Sequence, residues 1–134
     1  SPVLESMMAV PESLKNKFWA SLVGRTAELD VALRRASEGD AEALGSLCAA
    51  LHKIKGEAQL LGLVTCAELA QKMEAIAKAR GSEGLRSEDA EPLVAGVLAM
   101  REMGTNAGQS ASFEEALTGL ILHGRALRAA GGAS

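Results

Sequence analysis

The stretch that decides the fold is residues 41–61, which read AEALGSLCAALHKIKGEAQLL. Its apolar residues recur every three or four positions, at Leu44, Leu47, Cys48, Leu51, Ile54, Ala58 and Leu61. This spacing places one apolar stripe along an α-helix. Gly39 and Asp40 predict the end of an earlier helix and a side-chain cap for this one, and Gly62 ends it. We therefore predict an amphipathic helix that buries one face.

Helical spacing extends to both sides of this stretch. The further helices are predicted over about 11–37, 65–80, 87–103 and 113–129. Thr65 with Glu68, and Ser112 with Glu115, match the capping box that opens a helix. We also expect a short leading turn or helix in residues 3–9. Because the connections are short, neighbouring helices should run antiparallel.

Composition favours the same fold class. Hydrophobic residues make up 48% of the 134, whereas aromatic residues make up 2% and tyrosine is absent. The apolar content is mainly Ala, Leu, Val and Met; Ala, Leu and Met are strong helix formers, while strands favour β-branched and aromatic residues. We predict an all-α protein, with an antiparallel four-helix bundle in residues 1–104, then a linker and an additional carboxy-terminal helix in residues 105–134.

Charge and hydropathy argue against several classes of partner. The net charge is −3 and the pI is about 5.4, whereas nucleic-acid-binding domains usually carry a basic face and a high pI. No apolar stretch approaches the roughly 18 residues of a membrane span, and we expect no signal peptide. Cys48 and Cys66 lie among apolar residues without a Cys-x-x-Cys motif, so we interpret them as small hydrophobic residues in a reducing cytosol.

The residues around His52 carry the chemistry. On a helical wheel His52 falls roughly 120° from the centre of the apolar stripe, on the solvent flank. Gly56 lies one turn further on the same ridge, and Lys55 and Gln59 lie on the adjoining strip. A glycine inside a helix costs about 1 kcal/mol relative to alanine, and here it leaves space beside an exposed imidazole. A neutral imidazole can attack phosphorus, and a nearby lysine would neutralise the phosphoryl group.

Each of these residues also has an ordinary explanation. A lone surface histidine usually has no role, a lysine is usually a solvated charge, and a helix glycine can allow close packing. The combination His52, Lys55 and Gly56 is much harder to explain in this way.

These residues resemble a known family. Residues 51–58 (LHKIKGEA), Leu61-Gly62 and residues 69–74 (LAQKME) resemble the signature of the histidine-containing phosphotransfer (HPt) domain, over about residues 11–104. The downstream pattern is most similar to the amino-terminal phosphotransfer domain of chemotaxis-type histidine kinases, with stand-alone phosphorelay modules a close second. Glu57 departs from the family pattern, which most often has a small residue there, and it adds negative charge near the expected site.

The resemblance implies a role for each matching residue. His52 would be phosphorylated on Nε2, Lys55 would stabilise the phosphoryl group, and Gly56 would give access. Glu74 would hold the imidazole Nδ1–H, which fixes the tautomer and makes the other nitrogen more nucleophilic. Lys53 and Gln59 are then expected on the partner surface.

The resemblance also implies partners. A response-regulator receiver domain and a histidine kinase catalytic domain are expected, in the cytoplasm. The chain would bind no cofactor of its own, and the partner would supply Mg²⁺. It would act as a phosphocarrier without its own kinase domain, either free-standing or as part of a histidine kinase.

Three alternatives have different sequence requirements. An autokinase dimerisation domain usually has an acidic residue directly after the phosphorylated histidine, but Lys53 occupies that position. A non-phosphorylated module that only binds receivers stays open because of Glu57. A metal-binding bundle is least favoured, because no Glu-x-x-His or His-x-x-x-His spacing occurs. His123 lacks the Lys-Gly spacing and is predicted to be a surface residue of the last helix.

Overall fold

The computed structural model describes residues 1–3 and 9–132. Within them, five α-helices and one 3₁₀ turn, Gly81–Glu83, follow one another without a strand. The helices are α1 (Glu12–Ser37), α2 (Ala41–Leu60), α3 (Val64–Arg80), α4 (Ser87–Thr105) and α5 (Phe113–Gly132). The prediction of an all-α bundle with an extra helix is confirmed. Most of the leading turn predicted in residues 3–9 lies outside the described residues.

The core forms because each helix turns its apolar stripe inward. α1 packs against α2 and α4, α2 packs against α3, and α5 packs against both α3 and α4. The largest fully buried side chains include Leu22, Leu29, Leu47, Leu51, Ile54, Leu69, Met73, Ile76, Leu93, Met100, Met103 and Leu120. Leu120 belongs to α5, so the additional helix contributes to the core. The division of the chain into residues 1–104 and 105–134 remains a prediction.

The helix starts follow the predicted caps only in part. The Asp40 carboxylate accepts a hydrogen bond from the Ala43 N–H at 3.1 Å, as expected. The predicted Thr65–Glu68 box is wrong, because α3 begins at Val64 without a side-chain cap. Ser112 instead donates its hydroxyl to Glu102 Oε1 at 2.6 Å.

The connection between α4 and α5 packs against Trp19, the only tryptophan in the sequence. Gly108 has φ of +96°, and a Cβ added there would lie 2.7 Å from Cζ2 of Trp19. Trp19 itself is buried and meets the Phe18 ring edge-on, with centroids 5.2 Å apart. Glycine is needed here both for the backbone conformation and for the close approach.

A buried charge cluster joins α3, α4 and α5. The Asp89 carboxylate, which is fully buried, accepts bonds from Arg80 Nε (2.7 Å) and Nη2 (2.9 Å). It also accepts from the Arg86 N–H at 2.8 Å and lies 2.6 Å from His123 Nε2. Burial alone would raise the pKa of Asp89, but the bonds from Arg80, Arg86 and His123 hold it below its usual range.

The surface location predicted for His123 is therefore wrong. Its side chain is only 17% exposed, because α5 lays it over the buried Asp89. An ionised carboxylate only accepts hydrogen bonds, so the imidazole donates from Nε2. His123 fastens the last helix to the bundle.

Two further expectations concern membranes and cysteines. Among the helices formed by the described residues, none combines the length and apolar character needed to cross a bilayer. Cys66 is buried and Cys48 is half-buried, and both are free thiols. Burial raises the pKa of the Cys66 thiol to about 12, so this residue behaves as a core hydrophobe.

Candidate functional site

α2 presents His52 to solvent. Leu51, Ile54 and Ala58 point into the bundle, so the next residue along from Leu51 emerges on the flank, and the His52 side chain is 65% exposed. The imidazole is anchored on one side only, where α3 packs alongside α2. The wheel prediction for His52 is confirmed by this placement.

Glu74 of α3 brings three side chains together. Its carboxylate lies 2.9 Å from His52 Nδ1 through Oε2, and it accepts a bond from Lys55 Nζ through Oε1 at 2.8 Å. Lys78, one turn further along α3, reaches Oε2 at 3.1 Å. Because an ionised carboxylate only accepts, the contact places the His52 proton on Nδ1 and leaves the Nε2 lone pair free.

The Glu74 carboxylate is nearly enclosed, with 4% of its side chain exposed. Burial alone would raise its pKa, but hydrogen bonds from Lys55, Lys78 and His52 outweigh burial and lower the pKa below its usual range. Glu74 is therefore ionised at neutral pH. A carboxylate in this state both orients the imidazole and stabilises positive charge that develops on it.

Gly56 leaves open space beside the imidazole. A Cβ built at this position meets no other atom within 4 Å, so close packing within the chain does not require a glycine there. Gly96 in α4 differs, because its Cβ would fall 2.7 Å from Met73 Sδ. The space at Gly56 lies on the ridge that carries His52, one turn further along α2.

The described residues contain no group of three or more His, Cys, Asp or Glu side chains that could hold a metal ion. The arrangement of His52, Lys55 and Glu74 suits an anionic group delivered from outside instead. A nucleophilic nitrogen faces solvent, and an ammonium group lies one turn away from it on the same helix.

The Hpt domain family model matches residues 13–120 of the chain. The chain belongs to the Hpt domain family. Comparisons with curated proteins and with solved structures find no match. Family membership gives the protein a phosphotransfer role in two-component signalling. The matched region of this Hpt domain includes the start of α5, whose Leu120 is buried.

The flanks of the Hpt site differ in charge and polarity. Lys53 and Gln59, which both follow His52 along α2, are exposed. Glu57, which departs from the family pattern, faces α1 and pairs with Arg25. Its charge is thus matched by a cation of the bundle itself, so the negative charge expected near the site is largely compensated.

Sequence reasoning missed two residues of this surface. Lys78 is four residues after Glu74, a spacing at which opposite charges meet on a helix, and that signal could have identified it. Arg25 lies 32 residues before Glu57, and no local spacing predicts their contact. Only the packing of α1 on α2 brings this pair together.

Proposed function

We propose that His52 accepts a phosphoryl group on Nε2 and exchanges it with the aspartate of a response-regulator receiver domain. The observation that supports this most strongly is the contact between His52 Nδ1 and the buried Glu74 carboxylate, with the rest of the imidazole exposed. This contact keeps the proton on the inner nitrogen. The outer nitrogen is then free to act as the nucleophile.

The transfer step needs no group beyond those that the two domains bring. The Nε2 lone pair attacks the phosphorus of the receiver's aspartyl phosphate, and the bond from phosphorus to the aspartate oxygen breaks. The aspartate leaves as a carboxylate with the electron pair. The imidazole keeps its Nδ1 proton and becomes positively charged, and Glu74 stabilises that charge. The reverse step returns the phosphoryl group to a receiver.

The neighbouring residues have separate roles in this proposal. Lys55 neutralises the phosphoryl oxygens, and Gly56 admits the partner. Lys53 and Gln59 contact the partner surface. The Mg²⁺ that phosphoryl transfer requires belongs to the partner, which is either a receiver or a histidine kinase catalytic domain.

We also infer a place for the protein among its relatives. The carboxylate on Nδ1 supports the resemblance to the phosphotransfer domain of chemotaxis-type kinases, in which a glutamate of the next helix has this role. A cytoplasmic location fits such a kinase partner and the free thiols of Cys48 and Cys66. In either branch the protein is a phosphocarrier, and the kinase chemistry resides in another domain.

The second candidate is a module that binds receivers without being phosphorylated. Its main support is Glu57, a charge that would repel a phosphoryl group. Because Glu57 is paired with Arg25 on the α1 side, that support is weak. The intact set of His52, Lys55 and Glu74 also favours the carrier.

Intact-mass spectrometry tests the proposal directly. The wild-type protein is incubated with a panel of histidine kinases and receivers, ATP and Mg²⁺, beside His52→Gln and His123→Gln. We expect an acid-labile, base-stable gain of one phosphate in the wild type and in His123→Gln, and none in His52→Gln. Circular dichroism checks that both variants fold.

The opposite pattern has a clear meaning. If receivers bind the wild-type protein but no donor in the panel labels it, the binding-only module is the better description. Labelling that persists in His52→Gln would place the phosphoryl group on another residue.

A further inference from the structure

We propose that Lys78 is a positioning residue that keeps Glu74 paired while Lys55 turns to the phosphoryl group. The inference rests on the proposed function of His52 and extends it to a residue outside the family signature. It follows from the number of donors that converge on one buried carboxylate. The three donors, His52, Lys55 and Lys78, differ in how easily each can move away from that carboxylate.

Lys55 is already occupied in the unphosphorylated protein. Its Nζ donates to Glu74 Oε1 at 2.8 Å, and its side chain is 19% exposed. A phosphoryl group on His52 Nε2 would attract the same ammonium charge, so the bond from Lys55 to Glu74 would weaken as Lys55 turns to it. The family role of the lysine and its observed position therefore compete for the same ammonium group.

Glu74 cannot be left without a cation. Its side chain is 4% exposed, so water has little access to replace a lost ammonium group. Removing one partner of a buried ion pair leaves an uncompensated charge, which is strongly unfavourable. If Glu74 took up a proton, it would no longer offer a fully charged oxygen to the His52 Nδ1–H. The hydrogen bond that orients the imidazole would then weaken.

Lys78 solves this conflict from the other helix. It reaches Oε2, the oxygen that His52 also uses, at 3.1 Å, while Lys55 uses Oε1. Lys78 lies one turn after Glu74 on α3, so α3 itself holds the pair together when α2 side chains move. Lys55 can then turn outward while the carboxylate keeps an ammonium partner in addition to the imidazole.

The charge balance supports this division of labour. Before transfer, one carboxylate faces two ammonium groups and a neutral imidazole, which leaves a surplus of one positive charge. Transfer brings two negative charges on the phosphoryl oxygens and one positive charge on the ring. The cluster is then neutral. Without Lys78 it would carry one negative charge at a site that must hold a phosphoryl group.

The first experiment uses the unphosphorylated protein. The Glu74 side-chain carboxyl is titrated by carbon NMR in wild type, Lys78→Met, Lys78→Arg and Lys72→Met. Loss of the Lys78 ammonium should raise the pKa of Glu74 in Lys78→Met, because one of the bonds that lower it is gone. Lys78→Arg should restore the wild-type titration. Lys72→Met removes the same charge from the same helix and should leave the titration unchanged.

The second experiment measures phosphotransfer rates in the same variants. We expect Lys78→Met to slow labelling of His52 by about tenfold, a typical cost of losing a group that supports a catalytic histidine. Lys78→Arg and Lys72→Met should stay close to wild type. In a Glu74→Gln background, Lys78→Met should have no further effect, because Lys78 acts through Glu74. An equal further loss there would instead mean that Lys78 contacts the phosphoryl group itself, and would overturn the proposal.

The two experiments separate the possible failures. An unchanged Glu74 titration in Lys78→Met, or an unchanged rate in a wild type that is labelled, overturns the role of Lys78 and leaves the proposed function intact. A wild type that no donor labels overturns the proposed function, and the role of Lys78 with it, even if the Glu74 titration shifts as expected.

Discussion

Two clusters in this bundle pair a buried carboxylate with a histidine, and they differ in where the histidine lies. Glu74 holds His52, whose side chain is 65% exposed, whereas Asp89 holds His123, which α5 turns inward so that 17% of its side chain is exposed. In the first cluster the histidine presents a free nitrogen to solvent. In the second, the histidine directs Nε2 at the buried Asp89 instead of at solvent. The same pair of groups thus suits a reaction site in one place and a structural joint in the other.

The cations differ in a matching way. Asp89 is gripped by two nitrogens of the Arg80 guanidinium, a planar group that fixes its geometry through paired bonds. Glu74 is held by the single ammonium groups of Lys55 and Lys78, which fix its geometry less tightly than a paired guanidinium, so Lys55 can turn to another anion without a large rearrangement. A rigid guanidinium therefore marks the joint at Asp89, and an exchangeable lysine, Lys55, marks the site at His52.

The largest expected contrast comes from neutralising each carboxylate. Asp89→Asn should lower the free energy of unfolding by about 3 kcal/mol, because it leaves Arg80 charged and poorly paired in the core. Glu74→Gln should cost about 1 kcal/mol, since its partners reach the surface, but it should slow phosphotransfer by about tenfold to a hundredfold. Urea unfolding and rates of His52 labelling measure the two effects.

Equal losses of stability in Asp89→Asn and Glu74→Gln would contradict the distinction between a structural cluster and a reaction site. The same distinction would be contradicted if Asp89→Asn remained folded but slowed phosphotransfer as much as Glu74→Gln does. In that case Asp89 would have to act on the site through the α3 backbone.

Acidification should remove the stabilisation that ionised Asp89 gives to the fold. The pKa of Asp89 is lower in the folded protein than in the unfolded chain, so its ionised form stabilises the fold at neutral pH and this contribution is lost as the pH falls. The difference in unfolding free energy between wild type and Asp89→Asn should therefore be full at pH 7. It should shrink as the pH falls below about 4, where the unfolded carboxyl begins to take up its proton. A difference that grows on acidification would contradict this assignment.

A smaller effect is expected from replacing the two glycines inside α2. Gly45 and Gly56 both lie within α2, and a Cβ at either position meets nothing within 4 Å. Replacing either by leucine should stabilise the free protein by about 0.5–1 kcal/mol, because glycine is costly inside a helix. Only Gly56→Leu should slow phosphotransfer, since only Gly56 adjoins His52. Equal rates in the two variants would show that the space beside the imidazole is not used by the partner.

Local periodicity was enough to predict the helices and the placement of His52. Apolar spacing identifies which face of α2 is buried, and this fixes the exposed flank. It does not say which helix covers that face or at what angle. The contact between Arg25 and Glu57 depends on that angle, and so does the contact of His123, on α5, with the buried Asp89. The Thr65–Glu68 box failed because α3 has Leu63 as its N-cap, two residues before the position that the pattern indicates.

Glu74 shows what a sequence motif can predict about a site and what it cannot. Its place near the histidine was expected from the resemblance to a family, and the helices bring the two side chains to 2.9 Å. The number of cations on it was not expected, because a motif names residues one at a time. How many groups share a buried carboxylate is a property of the packed helices.

The tryptophan beside Gly108 gives the molecule its own optical reporter. The chain has one tryptophan and no tyrosine, so its emission comes from a single buried ring at the joint between α1 and the α4–α5 connection. Any loosening of that joint should shift the emission towards that of an indole in water. Movements of the last helix can thus be followed in the unlabelled protein, at a point remote in sequence from His52, the histidine proposed to react.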